Sequence, residues 1–150
     1  MTNVVHHAYP DGADYLYPTI ENQWWMSGSV NHNKDCLTAI FFDQGVGIPA
    51  TLPATYAIEK ISEFLANLGL MDTDAARIKA AINLGRTSTD RPNRGRGLLN
   101  IRQFIAQSER GKLRILSGKG EYIFNSDGTE ELKTHKQSIG GTLIQWLVYV

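Results

Sequence analysis

A single cysteine, Cys36, occurs in the 150 residues, so no disulfide can close within the chain, and the composition fits a reducing compartment such as the cytoplasm. An excess of charge is lacking too. Fifteen Lys+Arg balance 15 Asp+Glu. That balance removes the broad attraction by which basic domains hold nucleic acid or an anionic membrane. No run approaches the roughly eighteen consecutive apolar residues of a bilayer span. The start, Met1-Thr2-Asn3-Val4-Val5-His6-His7, has none of the basic, apolar and small-residue regions of a signal peptide. Internal repeats and low-complexity tracts are absent. His6, His7, His32 and His135 show no zinc-ligand spacing, and no Ser-His-Asp or Cys-His arrangement can be read from the sequence. What is present is 42% hydrophobic residues, enough for one packed core and one domain over residues 1–150.

The pattern along the chain predicts α+β architecture. Thr2 to Ala8 reads as the end of a helix stopped by Pro10 and Gly12. Gln23–Val30 and Leu37–Phe42 are rich in aromatic and β-branched residues, and the turn-forming Asn31–Asp35 between them predicts an antiparallel pair. Ile58, Ile61, Leu65 and Leu68 recur at helical spacing, with Gly69 beyond them. A second helix is expected over Asp74–Leu84, capped by Thr73, and a third, marked by Leu98, Ile101 and Ile105, is expected to end near Gly111. Leu113–Ser117, Glu121–Phe124 and Thr142–Val150 read as strands, with Asn125-Ser126-Asp127-Gly128 as a turn. Strands at both ends with helices between predict a two-layer sandwich: a mixed, mainly antiparallel sheet with helices on one face. Cys36, inside a strand pattern, is expected to be a core thiol.

Three segments carry chemistry. Asp43-Gln44-Gly45-Val46-Gly47-Ile48-Pro49 follows the second strand. Gly45-x-Gly47-x-x-Ala50 fits the dinucleotide fingerprint formally, but the next twenty residues hold a helical pattern, with Glu59 and Glu63 inside it, where that fold needs a second parallel strand. An aspartate at a strand end can instead accept a hydrogen bond from an exocyclic amine, while nearby glycines let a flat ring approach the backbone. An Asx turn capped by glycines accounts for the same residues equally well. The second segment, Arg94-Gly95-Arg96-Gly97-Leu98, opens the third helix; Arg86 to Arg102 holds five arginines and one aspartate. Backbone N–H groups at a helix start, together with local positive charge, suit a polyphosphate; a solvated charged loop is the plainer reading. The third, Asn3-Val4-Val5-His6-His7-Ala8, places Asn3 and His7 on one helical face, where they could hold a hydrated metal and a phosphate oxygen; taken alone, solvated surface residues are the better reading.

Taken in order, these segments resemble the ATP-binding domain of the GHKL superfamily, which includes gyrase-type topoisomerases, sensor histidine kinases and anti-sigma-factor serine kinases. Asn3-x-x-x-His7-Ala8 is similar to the end of its N box, Asp43-x-Gly45-x-Gly47-Ile48-Pro49 to its first glycine box, and Gly95-Arg96-Gly97-Leu98 to its second. Gly141-Thr142 is similar to the Gly-Thr that closes the site. The resemblance spans nearly the whole chain. It implies a Bergerat-type sandwich holding ATP or ADP between helices and sheet. Asp43 would bind the adenine amino group, supported by Thr142. Asn3 would hold Mg²⁺, and His7 would lie close to the phosphates. Arg86 to Arg94 would form the lid, with Gly95, Arg96 and Gly97 at the phosphates.

Two departures shape the functional expectation. The family's N box begins with an acidic residue, often the general base, four positions before the Asn; that position precedes Met1. The chain is therefore expected to belong to a longer protein, lacking here the first helix and the start of the N box. The helical stretch Leu52–Leu84 is longer than sensor kinases usually carry. The expected role is an ATP-binding regulatory domain whose lid responds to nucleotide and is read by a protein partner. The alternatives are a serine or histidine kinase or ATPase domain whose general base lies upstream, and a degenerate interaction module without ligand.

Overall fold

The computed structural model describes residues 8–16, 23–85 and 97–149. The expected N-terminal helix, apart from Ala8, and the arginine loop from Arg86 to Arg96 lie outside those residues. Within them the chain runs β1 (Trp24–Asn31), β2 (Cys36–Asp43), α1 (Ile48–Thr55), α2 (Ile58–Asn67), α3 (Asp74–Leu84), α4 (Gly97–Gln107), β3 (Gly111–Ser117), β4 (Gly120–Asn125), β5 (Glu130–Thr134) and β6 (Thr142–Tyr149). This is an α+β fold, with four helices and one six-stranded sheet in the order β1-β2-β6-β3-β4-β5.

Every neighbouring pair in that sheet is antiparallel, where a mixed sheet was expected. The reason lies in the crossover. β2 and β3, joined through the four helices, run in the same direction, but β6 fills the gap between them and pairs antiparallel with both. The potential parallel contact is therefore replaced by two antiparallel ones.

Local chemistry explains most of the element boundaries. Thr73 Oγ1 accepts the Ala76 N–H at 3.2 Å, and Asp74 sits in the first turn, where the helix dipole favours a carboxylate. Gly69, just past α2, has φ of 64°, a left-handed geometry suited to glycine. α1 was not foreseen as a separate helix, because Pro49 and Pro53 both interrupt its pattern. Pro49 lies in the first turn, where no N–H is needed. Pro53 cannot donate to the Pro49 carbonyl, and Arg77 Nη1 of α3 reaches that carbonyl instead, at 3.4 Å. β5 was also missed. Its Glu-Glu-Leu-Lys-Thr offers one apolar residue and is held by pairing with β4.

α3 is buried on two sides. Ile78 and Ile82 join Leu98 and Ile105 of α4 over Leu113, Ile115, Tyr122, Phe124 and Val148 of the sheet. Ala76, Ala80 and Leu84 meet Leu52 of α1 and Ile61 and Leu65 of α2. The sheet residues in the first cluster share one face, so the helices pack on a single side, as expected. Cys36 is a buried thiol, also as expected.

One polar network crosses this core. Glu130 of β5 accepts from Lys79 of α3 at 2.7 Å, Arg102 of α4 at 2.9 Å and the Tyr122 hydroxyl of β4 at 2.8 Å. Burial alone would push the Glu130 carboxyl up; the three donors outweigh it and hold it below the ordinary value of 4.5. A depressed carboxylate stabilises the fold above its unfolded pKa, and that stabilisation fades as pH falls through the folded one. Glu130→Gln should therefore be less stable at pH 7, by about 1–3 kcal/mol. The deficit should shrink below about pH 4. Denaturant titrations across pH check this; parallel curves for parent and variant would remove Glu130 from the stability balance.

Candidate functional site

The strand register assembles the site. Asp43, the last residue of β2, is paired with Thr142, the first of β6; Thr142 is paired with Ser117 at the end of β3, and Ser117 with Gly120. Directly paired residues share a face, and the next row inward on this face contains Ile144, Ile115 and Tyr122. Asp43, Thr142 and Ser117 thus form a polar row at one end of the helix-covered face. Beside it, Trp24, Phe41 and Trp146 stack across β1, β2 and β6, with centroids 6.4 and 5.0 Å apart.

Asp43 Oδ1 accepts the Gly45 N–H at 3.0 Å, so the Asx-turn geometry is present. The Thr142 backbone N–H, across the strand pair, also favours the ionised carboxylate. Burial pushes the Asp43 carboxyl up, and these two amides only partly offset it. No cation among the described residues pairs with it. A carboxylate has about four acceptor positions, so two amide donors leave capacity unused. A largely buried carboxylate with no cationic partner among the described residues is costly to the fold and is the kind of group found at binding sites.

The glycines have packing reasons of their own. Gly141 has φ of 140°, and a side chain there would strike the Asp43 carbonyl and the Gln44 backbone. At Gly45 a methyl group would strike the Ala8 carbonyl, whose oxygen already accepts the Val46 N–H at 2.9 Å. Gly47 has φ of 87°, and a Cβ would stand 2.7 Å from Ser117 Oγ. The glycine loop is therefore pressed onto the strand ends by close backbone contact.

Ser117 and Tyr9 were not singled out from the sequence, yet both organise the loop. Ser117 is fully buried. Its Oγ accepts the Ile48 N–H at 2.8 Å, donates to the Gly141 carbonyl at 3.1 Å, and lies 2.9 Å from Thr142 Oγ1. Tyr9 Oη accepts the Gln44 N–H at 3.0 Å and donates to the Gln23 carbonyl at 2.6 Å. Gln44 Oε1 is buried with no hydrogen-bond partner among the described residues. Strand parity could have flagged Ser117: in Leu113, Ile115, Ser117 it is the polar member of an otherwise apolar, core-facing set.

Ile48 opens α1 and packs against the same apolar cluster that buries Leu98 near the start of α4. Ile48 and Leu98 thus share one core. Gly97 is the exposed first residue of α4. Arg102, counted above among the basic residues, instead serves the Glu130 network and covers the Phe124 ring at 4.4 Å. Asn3, His7, Arg94, Gly95 and Arg96 lie outside the described residues. The described residues contain no group of three or more His, Cys, Asp or Glu able to hold a metal. A concavity of about 450 Å³, lined in part by Pro10, Ala13, Asp14, Val46 and Thr51, touches the glycine loop at Val46; neither Asp43 nor Thr142 lines it. No described helix is long and apolar enough to cross a membrane.

No protein-family model matches the chain, and no curated protein is significantly similar to it.

Gly141→Ala should destabilise the fold by more than about 2 kcal/mol, through the forced backbone shift and the positive φ. Gly28→Ala in β1, where the nearest atom to an added Cβ is 3.9 Å away, should change stability by less than about 0.5 kcal/mol. Denaturant unfolding of the two variants checks the contrast; equal losses would show that close approach at Gly141 is not the constraint.

Proposed function

We propose that the chain is an ATP-binding regulatory domain of the GHKL type, with a Bergerat-like site. The observation that carries this reading is the largely buried Asp43 carboxylate at the end of β2, without a cationic partner among the described residues, beside Thr142 on β6. These residues belong to the two motifs, Asp-x-Gly-x-Gly and Gly-Thr, that the family resemblance assigns to the adenine. An exocyclic amine supplies the donor that the carboxylate's unused acceptor capacity favours, so the residues present fit the ligand.

The remaining assignments rest on the sequence resemblance. Asn3 would hold Mg²⁺ between the phosphates, with His7 nearby. Arg94, Gly95, Arg96 and Gly97, followed by Leu98, would enclose the phosphate end, since arginine side chains and the N–H groups at a helix start both suit an anion. Gly45, Gly47 and Ile48 shape the loop beside the base. Bound nucleotide, contacted by the Arg86 to Arg94 lid, would create a surface for a protein partner to read.

Calorimetric titration of the chain with ATP, ADP and GTP, with and without Mg²⁺, tests the assignment. ATP and ADP should bind, and GTP should bind poorly, because guanine presents a carbonyl where adenine presents its amine. Asp43→Asn should weaken adenine-nucleotide affinity by about 2–3 kcal/mol, since the amide places a donor against the amine. Unchanged affinity in a folded variant would remove Asp43 from the site.

Saturating Mg²⁺-ATP should also protect Arg86, Arg94 and Arg96 from trypsin. Arg91 precedes Pro92 and should resist cutting in either state. ADP should protect less, because it lacks the γ-phosphate. Limited digestion with mass-spectrometric mapping checks this, and equal cutting with and without ATP would sink the lid.

A further inference from the structure

We infer that Ser117, fully buried behind Thr142, fixes the direction of the Thr142 hydroxyl proton and thereby sets the site's preference for an amine over a carbonyl on the purine ring. The inference rests on the adenine reading of Asp43 and Thr142 and assigns its selectivity to a residue outside the recognised motifs.

The argument is a count of protons. A serine hydroxyl has one proton and two lone pairs. The Ile48 N–H can only donate, so one Ser117 lone pair accepts it, at 2.8 Å. The Gly141 carbonyl can only accept, so the Ser117 proton goes there, at 3.1 Å. One lone pair remains, and Thr142 Oγ1 lies 2.9 Å away. The Thr142 proton is therefore donated to Ser117. This is the assignment that satisfies all three contacts; sending the Ser117 proton to Thr142 would leave the Gly141 contact without a hydrogen.

With its proton committed inward, Thr142 Oγ1 offers only lone pairs to anything bound beside it. Asp43, its partner across β2 and β6, likewise offers only acceptors while ionised. Two acceptors side by side match a group with two N–H donors, directly or through one water. Adenine's exocyclic amine has two. Hypoxanthine has a carbonyl oxygen at that ring position, and an acceptor facing two acceptors is repelled. Without Ser117 the Thr142 hydroxyl could turn and donate, and a carbonyl would be tolerated better. Ser117 is thus a positioning residue: it acts through Thr142 and need not touch the ligand.

The test compares ATP with ITP, which differ at that ring position and in the protonation of the adjacent nitrogen, binding to the full chain by calorimetry. The parent should prefer ATP at least tenfold. Ser117→Ala should cut that ATP:ITP ratio about fivefold, the worth of one hydrogen bond. Thr142→Val should cut it similarly, and the double variant should cut it no further than either single change, because the two residues act as one unit. Where Ser117→Ala fails to fold by circular dichroism, Ser117→Cys, a weaker donor and acceptor, should give an intermediate ratio. Equal weakening of ATP and ITP, with the ratio kept, would reduce Ser117 to a loop anchor and overturn the inference while leaving the nucleotide reading intact. A parent that binds neither nucleotide would overturn both.

Discussion

β6 is the last strand in the chain and the one that joins the two parts of the sheet. On one side it pairs over eight residues with β2, and on the other over seven with β3. Without it, the β1–β2 hairpin and the β3–β4–β5 meander would have no common sheet. The polar row exists because of the same pairing: Asp43 meets Thr142, and Thr142 meets Ser117, only when the β6 register is correct. A slip of one residue would turn Thr142 to the opposite face and bring Gly141 or Leu143 into its place. Site geometry and sheet register are therefore one constraint.

Close approach enforces that register from the loop side. Gly141 lies against the Asp43 carbonyl, Gly47 lies against Ser117, and the Ile48 N–H ends on the Ser117 hydroxyl. Each contact joins segments far apart in sequence. Such non-local pairing carries a loop-closure cost and belongs to slow-folding topologies. The apolar face of α3 acts in the opposite sense. Ile78 and Ile82 offer the β3–β4 hairpin a partner closer in sequence than β6 is to β2.

Much of this was legible in the sequence where one local rule acted alone. Thr73, Asp74 and the periodic apolar residues after them marked α3 to the residue, and the Asn31–Asp35 turn marked the first hairpin. Legibility failed where a long-range partner overrode a local signal. α1 carries two prolines, and the side chain that compensates Pro53 comes from Arg77, 24 positions downstream. β5 is a strand because β4 accepts it as a neighbour. The all-antiparallel sheet depends on β6 lying between β2 and β3, which no window of sequence encodes. At the candidate site, Asp43, Gly45, Gly47 and Thr142 fell within recognisable motifs. Ser117 did not, since one serine in a strand looks like any other until its three partners surround it.

The outermost strand leaves a practical consequence. All eight residues of β1 are exposed and none is charged, and they pair with β2 without interruption from Trp24 to Asn31. Among the described residues its far side has no neighbour, so it offers a regular ladder of unpaired N–H and C=O groups. Lysines, prolines and bulges, which commonly blunt such a border, do not occur in it. With 15 charges of each sign, the molecule also has little net repulsion to keep copies apart near neutral pH. Association through this border should then rise with concentration and fall as pH moves away from neutrality and net charge builds up.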